Sequence, residues 1–389
     1  MAETTTDTTA TLPAGNYRIE DWVTGDEDLT AIHELRYTVL VDEMDKYHDQ
    51  ACHFTRTLVD EEDARSWHTV ALADDGTIAA VNRMTWGGAG FSARQIEQYA
   101  LQPWLDAGLA DHICVGERTM VAPAHRGSTA LHELQGDRLP DYFDDVGVRI
   151  VFGVCEPHLL GLYHSMGCFP YAERNINSDD AGYLIPIVNF PFGADSVRGL
   201  GLDPVHGTDT DADHADGPQG FAAPVAAALA GRSAVLNPAM VSAEAYLAEV
   251  QDSLDAIEDN QIGAFDGLAS HQIAQFLTKS SIISCAQGDR LLKAGNTGRN
   301  LYIVLDGRLD ARIDGRTVGT LHAGDVFGET AFLLGVPRTA DVHAETPDPR
   351  VLCTSAGAIR RMIDDDAAIA AIFLGNLAKM LATRLAASR

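Results

Sequence analysis

Positive charge is scarce in this chain. Its 389 residues include 28 Lys and Arg against 56 Asp and Glu, a formal net charge of −28 at pH 7. The lysines are few: Lys46, Lys279, Lys293 and Lys379. This charge repels the phosphates of nucleic acids and anionic lipids, so we expect neither a general nucleic acid partner nor attachment to a membrane surface.

Paired cysteines and long apolar runs are also missing. The 6 cysteines are scattered without a C-x-x-C pair, which indicates free thiols in a reducing compartment rather than a disulfide or zinc framework. The N-terminus is acidic and Thr-rich and lacks the basic and apolar regions of a signal peptide. No apolar run approaches the roughly 20 residues that span a bilayer. We therefore expect a cytoplasmic protein without a membrane span.

The length is about two to three times that of a typical domain, which predicts two folded units. Changes in composition along the chain predict four regions: a disordered tail over 1–16, a first domain over 17–192, an acidic Gly/Pro/Ala linker over 193–241 and a second domain over 242–389.

One part of the linker has the spacing of a metal-binding loop. Asp209, Asp211 and Asp213 resemble the start of a calcium loop. However, His214 and Gly220 stand where such a loop needs glycine and a bidentate glutamate. We therefore expect no metal.

In the first domain, strand patterns alternate with helix patterns, which is typical of α+β layers. The predicted strands are Ser66–Leu72, Gly76–Met84, Ile113–Val121, Arg149–Cys155 and Gly182–Asn189, and the predicted helices run from about Ser128 to Phe143 and from Leu159 to Met166.

The second domain has the pattern of a small β-barrel. Short β segments punctuated by glycines fill Gln287 to Leu352, which indicates a jelly roll. Helices are predicted on both sides, over Ser242–Asn260 and from Asp364 to about Ser388. The predicted fold class is therefore α+β, with a mixed sheet in the first domain and a jelly-roll barrel in the second.

The segment from Gly324 to Val342 carries the clearest sign of a binding site. Its pattern predicts a glycine turn, a short helix from about Glu329 to Leu334, and then Arg338. The start of a helix favours an anion, and an arginine can clamp phosphate oxygens through two hydrogen bonds. Because Glu329 can accept a hydrogen bond from a sugar hydroxyl, the pattern predicts a pocket for one sugar phosphate.

This segment resembles the signature of the cyclic nucleotide-binding domain family, over about Gly263 to Arg389. In that family the matching glutamate contacts the ribose 2′-hydroxyl and the matching arginine the cyclic phosphate, which assigns these roles to Glu329 and Arg338. The resemblance implies that cAMP or cGMP is the ligand. It also implies further contacts from Gly328, Thr330, Thr339 and Ala340, with the Thr339 hydroxyl placed to touch the phosphate or a guanine edge. Transcription factors of the family continue into a DNA-binding motif, whereas this chain ends, so we expect no DNA binding.

A second pattern follows the predicted strand that ends at Val121. Arg126, Gly127 and Ser128 come at the start of a helix, with Thr129 next to them. This arrangement suits the pyrophosphate or phosphopantetheine of an acyl donor.

Two further side chains are candidates for proton transfer. Tyr163, on a predicted helix, can give a proton to a departing thiolate. Glu117, in the strand that ends at Val121, can act as a base, although it can equally form an ion pair with Arg118 or Arg126.

The strings VAPAHRG from Val121 and LYHSMGCF from Leu162 resemble the GNAT acyltransferase superfamily. The string LRYTVLVDEM from Leu35, together with Arg83, is similar to the branch of acyl-homoserine lactone synthases and N-acyl amino acid synthases. The superfamily's phosphate loop usually has glycine where this chain has Thr129. An acyl carrier protein is therefore an alternative donor to acyl-CoA.

The sequence thus predicts an acyltransferase regulated by a cyclic nucleotide, which moves an acyl group from a thioester to an amine. Glu117, or a water that it holds, would take the amine proton. Backbone N–H groups near Val121 would stabilise the oxyanion, and Tyr163 would protonate the thiolate. Two alternatives stay open: a non-catalytic sensor whose first domain binds a partner, and an acyltransferase that acts on protein lysines. A homodimer through the last helix is also compatible with the sequence.

Overall fold

The computed structural model describes residues 17–23, 29–136, 146–178, 182–190, 233–236, 255 and 262–387. The predicted tail, most of the predicted linker and nearly all of the helix predicted over Ser242–Asn260 lie outside these residues. The chain divides into two compact units, one of Met1–Ile96 with Gly108–Val151 and one of Glu97–Ala107 with Phe152–Arg389. The second unit thus begins before the limit predicted at residue 192.

Helices and strands are interspersed in the first part of the described chain, whereas six strands follow one another between Ser281 and Phe327. The α-helices are α1 Thr30–Arg36, α2 Ala93–Gln98, α3 Gln102–Asp106, α4 Ala130–Gly136, α5 Leu160–Ser165, α6 Ser270–Leu277, α7 Glu329–Leu334, α8 Ala356–Asp365 and α9 Ala367–Ala387. The strands are β1 Arg18–Val23, β2 Trp67–Leu72, β3 Ile78–Trp86, β4 Ile113–Val121, β5 Ile150–Cys155, β6 Cys168–Pro170, β7 Ile176–Ser178, β8 Gly182–Asn189, β9 Val235–Leu236, β10 Ser281–Ser284, β11 Arg290–Leu292, β12 Asn300–Asp306, β13 Arg308–Ile313, β14 Arg316–His322, β15 Val326–Phe327, β16 Asp341–Ala344 and β17 Arg350–Ser355.

The first unit contains an antiparallel run of strands in the order β1-β2-β3-β4. Neighbouring residues of a strand point to opposite faces. Val70 and Val81 accordingly pack with Ile32 of α1, whereas Ala71 and Ala80 pack on the other face with α4. Small side chains on the α4 face let this helix approach the sheet closely.

The second unit contains the predicted β-barrel. One sheet has the order β15-β12-β17-β10-β9 and the other β11-β16-β13-β14, which confirms the barrel with flanking helices. Strand β9 lies within the range predicted as linker, and its residues Val235 and Leu236 pair with Ile283 and Ile282 of β10. The predicted linker range therefore contributes a strand to the barrel.

Residues that follow β5 share a hydrophobic core with this barrel. Ile185 and Ile187 of β8 and Leu160 of α5 lie in one buried cluster with the barrel residues Val304 and Val351. Packing therefore joins the segment that carries α5 to the barrel within the second unit.

The helix predicted from Asp364 to about Ser388 is α9, which begins three residues later, at Ala367, after α8 ends at Asp365. The side chain of Asp366 accepts a hydrogen bond from the backbone N–H of Ala368 at 3.0 Å and so caps the start of α9. By length and composition α9 could cross a bilayer, but its apolar residues Ile369, Phe373 and Leu377 pack in the core of the second unit.

Candidate functional site

A left-handed glycine begins the predicted anion site of the barrel. Gly328 precedes α7 with φ +77°, and α7 has the bounds predicted for it. A Cβ on Gly328 would lie 2.5 Å from Nη1 of Arg338 and 2.9 Å from the carbonyl oxygen of Asn300. Only glycine combines this φ with so close an approach.

The structure brings Arg338 directly against this turn. Its Nη1 donates a hydrogen bond to the carbonyl oxygen of Gly328 at 2.9 Å, and its guanidinium lies 5.9 Å from the ring centre of Tyr302. The backbone of Arg338 is held on both sides, since its N–H donates to Asn296 and its carbonyl accepts from Gly295, each at 2.8 Å. The residue is only 6 % exposed.

Burial lowers the pKa of the Arg338 guanidinium, and the negative charges of Glu156 and Glu329 oppose that shift. The lowered value still belongs to an arginine, which stays protonated at neutral pH. A phosphate placed here would therefore meet a fixed positive charge in surroundings of low dielectric constant, where charge-assisted hydrogen bonds are strong.

Glu329, the predicted ribose ligand, is the first residue of α7 and lies beside the closing helix. Arg384 of α9 donates a hydrogen bond to Oε1 of Glu329 at 3.3 Å and lies 3.5 Å from Asp325. From its place in the sequence, late in a helix, Arg384 would be expected only to interact favourably with the helix dipole.

The remaining predicted contacts lie on α7 and in the loop before β16. Thr330 and Ala340 are half-buried, and Thr339 is exposed. The site therefore combines a buried arginine, an ion-paired glutamate and a glycine turn, which together can bind a phosphate and a neighbouring hydroxyl.

The first unit holds a group of opposite charges around Glu117 of β4, which we call the charge cluster. Its side chains are largely buried except that of Arg94, which is 44% exposed. Its members are Arg36, Arg83, Arg94, Arg118, Asp60, Glu62, Asp63 and Glu117. Four arginines stand against four carboxylates in this cluster. Burial of an isolated charge is costly, so mutual pairing is what keeps these groups ionised.

Glu117 has several hydrogen-bond donors within and beside the charge cluster. It accepts hydrogen bonds from Arg83 at 2.8 Å, from Arg94 at 2.9 Å and from the side-chain amide of Gln95 at 3.0 Å. Burial alone would raise the pKa of Glu117, but Arg83 and Arg94 bring it below its usual range. The sequence predicted an ion pair of Glu117 with Arg118 or Arg126. In the structure its partners are Arg83 on the neighbouring strand β3 and Arg94 on α2.

Two aspartates hold the other arginines. Asp63 accepts two hydrogen bonds from Arg36 at 2.7 and 2.9 Å, and Asp60 accepts two from Arg118 at 2.7 and 2.8 Å. Burial opposes ionisation of Asp60, but the hydrogen bonds and charge of Arg118, together with the charges of Arg83 and Arg36, outweigh it and lower the pKa from 3.8 to about 2. The acidic run from Asp60 to Asp63 is visible in the sequence. Such a run usually indicates a solvated surface, so it does not by itself predict a buried charge cluster.

Strand β4 carries a bulge next to Glu117. The register of β4 against β3 shifts between the pairs Val81–Met120 and Arg83–Glu117, so two residues of β4 face one of β3. Arg118, within the bulge, has φ +55°. A bulge interrupts the ladder and turns backbone groups away from their usual partners.

The predicted donor loop leads away from the end of β4 at Val121. Arg126 forms an ion pair with Glu43, and its side chain is half exposed. Gly127 has φ +77° with open space around it. A cofactor phosphate that used Arg126 would therefore compete with Glu43.

Ser128 caps the helix that the sequence predicted here. Its hydroxyl oxygen accepts from the N–H of Ala130 at 3.2 Å and from the hydroxyl of Tyr17 at 3.0 Å. The hydroxyl of Thr129 donates to Glu133 within α4. Ser128 and Thr129, whose side chains were predicted to bind the acyl donor, therefore make contacts that stabilise the start of α4.

Tyr163 lies on α5 in the second unit. Its ring is half-buried and packs against the hydrophobic cluster that α5 shares with the barrel. Burial raises the pKa of the nearby Cys168 thiol to about 11 and raises that of Cys155 well above its usual value. Both cysteines are therefore neutral thiols.

Comparisons with known proteins agree with the barrel site. Residues 282–366 match the cyclic nucleotide-binding domain family. Over 92 residues the chain is 33% identical to a cGMP-dependent protein kinase of Caenorhabditis briggsae, and over 94 residues it is 36% identical to one of Toxoplasma gondii. Both matches cover 24% of this chain, but the chain spans only 12% and 8% of the lengths of these relatives. The C-terminal part of the chain is a cyclic nucleotide-binding domain, which confirms that prediction.

Among solved structures, the chain is similar to the Catabolite Activator Protein of Thermus thermophilus. The likeness has a TM-score of 0.29 and 27% sequence identity, and it covers 32% of this chain and 59% of that chain.

Proposed function

We propose that this protein is an acyltransferase whose activity is controlled by a cyclic nucleotide bound at Arg338. The cyclic nucleotide-binding domain is the established part, and the acyl transfer and its control are the proposal. The observation that carries the catalytic part is the buried, ionised Glu117 beside the bulge of β4.

The proposed reaction is attack of an amine on a thioester. The nitrogen lone pair forms a C–N bond with the carbonyl carbon, and the C–S bond then breaks. The amine loses a proton to a water held by Glu117, and the thiolate takes one from a general acid, the role that the sequence predicts for Tyr163. The lowered pKa makes Glu117 a weak base, so its proposed part is to orient the water that takes the proton.

The proposed acyl donor is a thioester of coenzyme A or of an acyl carrier protein. The proposed donor-binding residues are Arg126, Gly127, Ser128 and Thr129, with Val121 at the end of the strand. Thr129 adds a side chain where glycine would let a pyrophosphate approach the backbone closely. This supports testing the carrier protein donor alongside the coenzyme A donor.

The proposed regulatory ligand is cAMP or cGMP. The two curated relatives named above are cGMP-dependent protein kinases by name, which supports testing both nucleotides. The exposed hydroxyl of Thr339 beside Arg338 supports the same choice, since it can reach either a phosphate or the edge of a base.

Release of free thiol is the test of the whole proposal. The full chain is incubated with acyl-CoA or acyl carrier protein thioesters and with amine acceptors, including a lysine peptide, each with and without cAMP or cGMP. We expect thiol release that depends on the acceptor, changes with nucleotide, and is lost in Glu117→Gln. No release with any donor would refute the catalytic part.

A non-catalytic sensor is the second candidate. The complete pairing of Glu117 with Arg83, Arg94 and Gln95 favours it, because a carboxylate used entirely for structure needs no substrate. In that case thiol release is absent and Glu117→Gln lowers stability without any loss of activity to measure.

A further inference from the structure

Three charged or titratable side chains of the second unit converge on one glycine of the barrel. A Cβ on Gly298 would lie 3.7 Å from Nη2 of Arg338, 3.8 Å from Nδ1 of His158 and 3.9 Å from Oε2 of Glu156. Gly298 comes just before β12, whereas Glu156 and His158 follow β5, far earlier in the chain. The guanidinium of Arg338 and the carboxylate of Glu156 therefore lie on the same side of Gly298 and attract each other.

Glu156 is held at this point from its other side. Nδ1 of His158 lies 3.2 Å from Oε2 of Glu156, and the Glu156 side chain is only 19% exposed. Arg338 uses Nη1 for the carbonyl oxygen of Gly328, which leaves Nη2 directed toward Gly298. In this half-buried setting, the attraction between Glu156 and Arg338 is screened less than it would be at a surface.

We propose that Glu156 acts as an internal anion that competes with the cyclic phosphate for Arg338. The inference rests on nucleotide binding at Arg338, and it does not depend on the acyltransferase activity. A carboxylate and a phosphate both offer oxygen acceptors to a guanidinium, so the same nitrogen recognises either. Binding of the nucleotide then releases Glu156 from the barrel.

The position of Glu156 gives this competition a consequence outside the pocket. Glu156 lies between Cys155, the last residue of β5, and the 3-10 turn Pro157–Leu159 that leads into α5. Leu159 and Leu160 pack into the hydrophobic cluster shared with the barrel. Release of Glu156 therefore loosens the segment that leads to Tyr163.

Calorimetric titration of the full chain with cAMP and cGMP tests the competition. Glu156→Gln keeps the size of the side chain and removes its charge, so we expect about tenfold tighter nucleotide binding, which corresponds to about 1.4 kcal/mol. The matched control is Glu345→Gln, because Glu345 is also ion-paired with an arginine of the barrel, Arg312. The control is expected to bind like the wild type.

The outcomes distinguish failure of the proposed competition from failure of nucleotide binding itself. Wild-type affinity in Glu156→Gln, or weaker binding, overturns the competition while nucleotide binding stands. If neither nucleotide binds to the wild type, the proposed ligand of the barrel is wrong and the competition falls with it.

Hydrogen exchange of the wild type gives a second measurement that needs no variant. Saturating nucleotide is expected to increase amide exchange over residues 156–165, because Glu156 no longer anchors this segment. Unchanged or slower exchange there would contradict the release of Glu156, even if the variants failed to fold.

Discussion

The guanidinium of Arg338 donates a hydrogen bond to the carbonyl oxygen of Gly328, and this contact joins the two halves of the nucleotide site. Gly328 begins α7, and Arg338 follows α7 in the chain. Because the turn and the arginine hold each other, a change at either residue affects the geometry at the other.

Replacement of Arg338 by alanine is expected to weaken cAMP or cGMP binding by about 2–4 kcal/mol, since the phosphate loses a buried charged partner. Arg312→Ala is the control, because Arg312 is an ion-paired arginine of the same barrel. Calorimetry on the full chain measures both. Equal nucleotide affinity of Arg338→Ala and the wild type would show that Arg338 does not bind the phosphate.

A methyl group at Gly328 should damage both stability and binding. Gly328→Ala places a Cβ 2.5 Å from Nη1 of Arg338 and forces an L residue to a positive φ, which costs about 1–3 kcal/mol. Gly315→Ala is the matched control, because Gly315 has φ +73° but open space around it. We expect both variants to melt at a lower temperature and only Gly328→Ala to lose nucleotide affinity. Loss of affinity in both variants would contradict this explanation.

The charge cluster should make the protein sensitive to acid. Burial opposes ionisation of Asp60, but Arg118, Arg83 and Arg36 together lower its pKa from 3.8 to about 2. A lowered folded-state pKa stabilises the protein above the unfolded value, and this contribution is lost as the pH falls through the folded value. We therefore expect the free energy of unfolding to fall between about pH 4 and pH 2.

Asp60→Asn tests the same relationship at neutral pH. The variant leaves Arg118 buried without its charged partner, so we expect a loss of about 3–5 kcal/mol. Asp42→Asn, which removes the exposed partner of Arg56, should cost no more than about 1 kcal/mol. Denaturant unfolding of both variants gives the comparison, and similar losses would show that burial of the pair does not matter.

Tyr163→Phe tests the proposed proton donor. Loss of a general acid acts on the transition state, so kcat and kcat/KM should fall together, by about 100-fold. Tyr171→Phe is the control, because its hydroxyl donates to the carbonyl oxygen of Tyr99 at 2.9 Å within the fold. A wild-type rate in Tyr163→Phe would show that Tyr163 is not the proton donor and serves only in packing.

Much of the local structure could be predicted from the sequence. The bounds predicted for β4, β8 and α7 agree with the structure, because apolar runs and glycine turns are properties of neighbouring residues. Glu329 and Arg338 could be proposed as site residues for the same reason, since a helix start and the loop after it lie within one short segment.

Only the tertiary structure decided the partners of these residues. Glu117 meets Arg94, Glu329 meets Arg384, and Arg338 faces the side of Gly298 where Glu156 lies. Each contact joins segments that are distant in the chain, and a local pattern cannot distinguish a buried charge with a partner from a solvated one. Packing of β5–β8 and α5 against the barrel likewise depends on which apolar faces meet. The sequence by itself therefore determined the elements and the anion site, whereas folding decided which charges neutralise each other.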